Sequence, residues 1–403
     1  MDLPRPFIRL AWSNLAAQAA DQISLAAVPL VAVLALGAGA GETGLLSAMQ
    51  TLPFLLLSIP TGLLADRVAR KRLMAGAEFL RAATLAALPV LAWAGWLSVP
   101  MLAVLGFAAA TGTMVFTVTA PALVPALVPS ALLASANARL ELARSTAFAA
   151  GPALAGAAVT WVGASPAFAL ASALSMLACL LLAGIAEPER AVGPRRHVLA
   201  DLAEGAAFVR DHALLRPILL VMVVWNTGWF VLQAVFVPFA IQRVGLDAMW
   251  VGISLGAYGV GMVVGAVAAP VLARRMRFGA LIFLGPTGSL LASAVISATV
   301  WFPGPVLPVA GFFLFGAFPI LWTITQITLR QAVTPPALIG RVSALMTMAG
   351  WGARPLGAAL GGVVGTAYGV VPALLLSTAI FAVQLAMIAA SPIPRLKALP
   401  AMA

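Results

Sequence analysis

Apolar residues run along this chain in blocks of about twenty or more, and the polar residues between them gather in short breaks. A hydrocarbon layer about 30 Å thick is crossed by roughly 20 residues of helix, so each block is long enough to span a bilayer. Cutting at charged or Pro/Gly-rich breaks predicts about twelve spans, with cores near 11–36, 44–64, 73–96, 100–123, 137–162, 167–186, 217–241, 250–272, 281–301, 305–328, 342–367 and 371–391. The longest hydrophilic stretch, 187–216, separates six spans from six. Its last part has apolar residues at 199, 202, 206 and 209, the spacing of an amphipathic helix lying on a membrane surface. The pattern predicts an all-α integral membrane protein of two pseudo-symmetric halves. Residues 1–186 form one six-helix bundle, 187–216 the linker and 217–403 the second bundle.

Composition supports this. Of 403 residues, 63% are hydrophobic and only 9% charged, against about 25% charged in ordinary soluble domains. The net charge of +11 would suggest nucleic acid in a soluble chain. Here the cations concentrate in alternate short loops, which is the chemistry of orientation. With the amino terminus inside, the inner loops hold Arg5, Arg9, the Arg67–Arg72 cluster, Arg190, Arg195, Arg196, Arg210, Arg216, Arg274, Arg275, Arg277, Arg330, Arg341, Arg395 and Lys397. The outer loops hold Arg243 alone. Both termini are expected in the cytoplasm, with the protein in the plasma (inner) membrane. The first run is too long and too polar for a cleavable signal and is read as a retained span. The single Cys179 offers neither a disulfide nor a cysteine metal site within the chain. His197 and His212 fall in the linker and are read as solvated.

The break after the second span reads Gly62-Leu-Leu-Ala-Asp66-Arg67-Val-Ala-Arg70-Lys71-Arg72-Leu-Met74. This resembles the loop 2–3 signature of the major facilitator superfamily, in Gly62, Leu64, Asp66, Arg67, Arg70 and Lys71. Ala69 replaces the usual second glycine, and Met74 the final Leu. The resemblance implies a gate in which the Asp latches one conformation. A weaker copy, from Ala269 to Arg277, keeps the cations and has Ala273 where the acid stood. In span five, Gly151-Pro152-Ala-Leu-Ala155-Gly156 is similar to the GPxxGG signature of facilitator-type exporters, with Ala155 in place of one glycine. Stretches at 120–129, 136–139, 325–343 and 354–357 look like the siderophore-exporter and macrolide-efflux branch. Span four lacks the basic residue found in many proton-coupled exporters, so Arg81 or Arg144 would have to substitute.

Charges within spans are costly and default to functional hypotheses. Asp21 sits mid-span with Asn14, Gln18 and Gln22 in a stripe expected to face a water-filled cavity. It has no cation within a helical turn, and such an acid can exchange a proton near neutral pH. The competing reading is a hydrogen-bonded Asp that fixes helix packing. Glu78/Arg81 and Glu141/Arg144 are i,i+3 pairs. Both are expected near the cytoplasmic ends of their helices, able to snorkel to water. Arg354 is a buried charge in span eleven, and no Asp or Glu follows Asp247. The resemblance implies a central cavity lined by spans one, four, seven and ten. The matching positions are Asn14, Gln18, Asp21 and Gln22, then Thr113 and Thr117, then Trp225, Asn226, Trp229 and Gln233, then Trp322 and Gln326.

The reading is a secondary transporter that exports a small amphiphilic or hydrophobic solute by proton antiport and alternating access. Asp21, Glu78 and Glu141 are its coupling candidates. Uptake or lipid flipping by the same fold, and a non-transporting sensor or scaffold, are the alternatives. Hydrolytic and metal enzymes lack their motifs here. No cofactor, metal or nucleic-acid partner is expected; a proton gradient, a small-molecule substrate, the lipid bilayer and a monomeric state are.

Overall fold

Helix α1 (Arg5–Leu36) ends where the sequence supplies Gly37. At φ 67° and ψ 21° this residue is left-handed, which glycine adopts without steric cost, and its N–H bonds the Ala32 carbonyl. The computed structural model describes residues 4–65, 68–129, 132–186, 198–335 and 338–400. Among these residues every regular element is a helix. The second predicted span is broken into α2 (Ala40–Leu56) and α3 (Ser58–Ala65). Pro60 has no N–H to offer the Leu56 carbonyl, and its ring crowds that oxygen. The tenth span breaks in the same way into α12 (Val306–Ala317) and α13 (Pro319–Val333), with Pro319 against the Phe315 carbonyl. The other helices of the first half are α4 (Arg70–Trp93), α5 (Val99–Leu127), α6 (Leu133–Val162) and α7 (Ala164–Ala183). Those of the second are α9 (Leu215–Pro238), α10 (Ala248–Arg275), α11 (Phe278–Ala298), α14 (Ile339–Tyr368) and α15 (Val370–Ala390), with α8 (Val198–Asp211) in the linker. Among the described residues, ten stretches are long and apolar enough to cross a membrane. The remaining two predicted spans are the broken α2–α3 pair and α14, which carries Arg341 and Arg354.

Two compact units result. The first comprises Met1–Ala38, Met49–Arg195 and Asp247–Gly256. In it α1 packs along α6 and α7, and α4 packs along α5 and α7, around Phe7, Leu10, Met74, Phe116 and Leu182. The first turns of α10 belong to this unit because glycines permit a close approach. A Cβ on Gly156 would stand 2.4 Å from the Ala248 carbonyl oxygen, and one on Gly252 2.5 Å from that of Pro152.

The second unit comprises Gly39–Ala48, Arg196–Leu246 and Ala257–Ala403. Helix α9 lies against α14 and α15, and α11 against α12, α13 and α15. Ile218, Val221, Ile282, Met346 and Ile388 fill the core between them. The start of α2 is seated here on α14, where a Cβ on Gly44 would lie 2.5 Å from Gly362 Cα.

The internal repeat is clearer in the backbone than in the charges. One glycine alone joins α6 to α7 and α14 to α15: Gly163 at φ 88°, ψ 178° and Gly369 at φ 93°, ψ 166°. Both conformations are closed to side-chain-bearing residues. The linker helix expected at the membrane surface has protein partners as well. Helix α8 packs against α14, with Gly205 against the Arg341 backbone and Glu204 paired to Arg341 at 2.6 Å. A small residue at 205 and an opposite charge at 204 give it a protein surface to bind.

Candidate functional site

Within the first unit, three helices converge on one guanidinium. Arg81 of α4 donates from Nη2 to Glu78 Oε2 at 2.5 Å, one turn back on the same helix, and to the Ala17 carbonyl of α1 at 2.9 Å. Its Nε donates to Ser175 Oγ of α7 at 2.9 Å, and its Nη1 to Thr113 Oγ1 of α5 at 3.0 Å. Thr113 passes the polarity on, donating to Asp21 Oδ1 at 2.7 Å, while Arg81 Nη1 itself stands 3.9 Å from that oxygen. Gly112 makes room for this, since a Cβ there would stand 3.2 Å from Arg81 Cβ.

Two expectations are corrected here. Glu78 and Arg81 do not snorkel to water: they are 0% and 1% exposed. Helix α4 packs between α5 and α7, and that packing draws the pair into the bundle. Asp21 has no cation on its own helix, yet α4 brings it one. Of the three charges only Asp21 retains access, its side chain 13% exposed. Two carboxylates facing one guanidinium leave a formal charge of −1, so one proton neutralises the cluster. Glu78 Oε1 is buried.

The rest of the polar stripe divides. Gln22 is buried where Gly151 of α6 admits it, a Cβ on Gly151 falling 2.5 Å from Gln22 Cβ, and Gln22 Nε2 lies 3.4 Å from Asp21 Oδ2. Asn14 is also buried and donates to the Leu140 carbonyl of α6 at 3.2 Å. Gln18 is half-buried, and Thr117 is exposed, one turn along α5 from Thr113. Glu141 and Arg144 form the expected i,i+3 pair at 2.5 Å, Glu141 exposed and Arg144 half-buried, with Arg144 also over the Phe148 ring. Pro152 lies within α6.

In the second unit, α9 presents an aromatic and amide face. Trp225 and Trp229 stack at 5.5 Å and 9°, and Trp225 Nε1 donates to Ser289 Oγ at 2.9 Å. Trp229 also meets Tyr258, Phe312 and Phe315. Asn226 Oδ1 accepts from Arg354 Nε at 3.2 Å, and the guanidinium stands over the rings of Phe230 and Trp351. Gln233 is half-buried. Trp322 packs in the apolar core beside Ile282 and Met346, and Gln326 is buried with its Oε1 accepting no hydrogen bond. Sequence spacing did not single out Ser175, Tyr258, Phe230 or Trp351. Ser175 and Tyr258 lie on other helices and join the clusters only through packing, whereas Phe230 follows Asn226 by one turn of α9 and Trp351 precedes Arg354 by one turn of α14.

The sequence profile of the Major Facilitator Superfamily matches residues 10–358. The chain belongs to the major facilitator superfamily. It is therefore a membrane transporter with that superfamily's fold, and not an enzyme. Multidrug efflux pump Tap of Mycobacterium tuberculosis (strain ATCC 25618 / H37Rv) is 30% identical over 379 residues, covering 89% of this chain and 86% of that one. Enterobactin exporter EntS of Citrobacter koseri is 29% identical over 249 residues, 60% of this chain and 57% of that one. Nucleoside transporter NupG superposes with a TM-score of 0.76 at 12% identity, over 96% of this chain and 98% of that one, which speaks to the fold. The resemblance read from the loop after span two and from the segments further along is thus borne out.

Of the superfamily's loop signature, Asp66 and Arg67 lie outside the described residues. Gly62 is in α3 and Arg70 opens α4. Lys71 donates from Nζ to the Ile185 carbonyl at 2.8 Å, just past the end of α7, and Arg9 donates to the Gly184 carbonyl beside it. Two cations thus meet the carbonyl end of a helix, where the backbone dipole is negative.

Proposed function

We propose that this superfamily member exports a small amphiphilic solute of the drug or siderophore class in exchange for protons, with Asp21 carrying the coupling proton. One observation carries the reading: a buried cluster of two carboxylates and one guanidinium in which Asp21 is the most exposed of the three charges. Protonating Asp21 leaves Glu78 and Arg81 as a neutral pair. Deprotonation restores the charge that Thr113 and Arg81 receive. Because Thr113 and Arg81 belong to α5 and α4, each protonation step changes how firmly α1 is held to its neighbours. That differential hold is what a two-state transporter needs from its driving ion. The aromatic face of α9 with Tyr258, and Arg354 held by Asn226, would supply apolar walls and one oriented charge to the solute. Similarity to a multidrug pump and an enterobactin exporter supports the outward direction and the solute class. In this reading the protein is a monomer of the inner membrane with both termini in the cytoplasm.

The test is flux into everted vesicles, with and without an imposed proton gradient, using ethidium, erythromycin and a catecholate siderophore as probes. Wild-type protein should accumulate at least one probe only when the gradient is present. Asp21→Asn should abolish gradient-driven accumulation and its pH dependence, yet still exchange probe down its own gradient. Undiminished proton-driven accumulation by Asp21→Asn would overturn the assignment. Loss of the probe from wild-type vesicles on energising them would favour uptake.

A further inference from the structure

Away from the charged cluster, a cavity of about 470 Å³ opens where α9 begins and α15 ends. Its volume is within the range of small-molecule sites, roughly 300–1,000 Å³. Both helices are membrane spans, so the place where one starts and the other stops is at headgroup depth. The lining is divided by chemistry. Arg210, His212 and Arg216 stand at the linker side, and Leu220 and Met387 continue along the two spans.

The polar side presents donors and one net positive charge. Arg210 binds Asp211 through Nε at 3.0 Å and Nη2 at 3.2 Å, so those two charges cancel. Arg216 then supplies the excess. His212 Nδ1 accepts from the backbone N–H groups of Leu214 at 3.1 Å and Leu215 at 3.3 Å, capping the start of α9. That fixes the neutral ring's proton on Nε2, and burial holds its pKa below the ordinary histidine range. A neutral donor beside a guanidinium suits an anionic oxygen. The apolar side suits hydrocarbon, and a free inorganic anion would make no use of it.

We propose that this cavity holds the phosphodiester headgroup of an anionic phospholipid, with an acyl chain along Leu220 and Met387. Basic pockets at the ends of spans are suited to such headgroups, and one cation near the surface strengthens binding about fivefold.

Purified protein, exchanged into neutral detergent, would be titrated with phosphatidylglycerol, phosphatidylcholine or inorganic phosphate. Retained lipid is read by native mass spectrometry and the unfolding midpoint by heating. Phosphatidylglycerol should be retained about fivefold more than phosphatidylcholine and should raise the midpoint, while phosphate alone should not. Arg216→Gln should remove the preference, and Arg216→Lys should keep most of it. Met387→Trp, which fills the cavity without changing charge, should remove retention of both lipids at this site. Arg216 is exposed, so its variants should fold, whereas Met387 is half-buried against the core; the unfolding midpoint of each variant in the absence of lipid checks that it is folded. Equal retention of the two lipids would overturn the proposal. So would a preference untouched by both Arg216→Gln and Met387→Trp, or stabilisation by phosphate equal to that by phosphatidylglycerol, which would make the site one for a free anion.

Discussion

A guanidinium that serves two carboxylates, two hydroxyls and a carbonyl cannot be removed without leaving buried charge behind. Breaking a buried ion pair by deleting one partner costs about 3–5 kcal/mol, whereas replacing both partners by apolar groups is often near neutral. Arg81→Leu should therefore lower stability by about that amount, read as a fall in the thermal midpoint in detergent. The double variant Arg81→Leu/Glu78→Leu should recover a large part of the loss. No recovery would mean that Ser175, Thr113 and the Ala17 carbonyl, and not Glu78, are what Arg81 chiefly satisfies. Glu78→Gln keeps shape and one acceptor, so it should fold normally and shift the pH dependence of transport without abolishing it. The Glu78–Arg81 pairing was legible from i,i+3 spacing, and Asp21 stood out as a lone acid in a span. That the two belong together was not legible. They are far apart in sequence and meet because α4 packs beside α5, whose Thr113 bridges Arg81 and Asp21, and because Arg81 also reaches the Ala17 carbonyl of α1. Nothing in the periodicity of either helix says which neighbour it will face.

Helices were the most legible level, because bilayer thickness sets a length and the sequence has to meet it. The breaks in the second and tenth spans follow from Pro60 and Pro319, whose effect on the preceding carbonyl is local and readable. The single-glycine joints are as local, yet the sequence shows only a glycine among many. It is the positive φ at Gly163 and Gly369 that marks them. Alanine at either position must adopt a conformation costing about 1–3 kcal/mol. Gly163→Ala and Gly369→Ala should each lower the thermal midpoint. Gly76→Ala, where a Cβ would meet nothing within 4 Å, should leave it unchanged or slightly higher. Gly156→Leu is the severer test of close packing, since its side chain would overlap the Ala248 carbonyl and Gly252. It should abolish transport even where the protein still inserts. Normal flux in that variant would show that α6 and the start of α10 can separate without consequence.

At the scale of the whole chain, charge bias carried the reading furthest and is still open to direct test. Nearly every loop cation falls in alternate breaks, and the cost of carrying Arg and Lys across the bilayer makes that a statement about orientation. Packing contributes what the bias could not. Residues 39–48 and 247–256 leave the halves their sequence position suggests and join the other compact unit, an exchange governed by small residues at close contacts. The orientation itself can be read with a thiol label. Cys179 is the single cysteine, so Cys179→Ser gives a blank background. Ala207→Cys would place one thiol on the exposed side of α8, and Phe302→Cys another at a position 71% exposed, beyond the end of α11. If the basic breaks are cytoplasmic, a membrane-impermeant maleimide added to intact cells should label Phe302→Cys and spare Ala207→Cys. In everted vesicles the pattern should reverse. The reverse pattern in intact cells would overturn the proposed orientation and, with it, the direction assigned to transport. Labelling of both positions from one side would contradict the odd number of crossings between them.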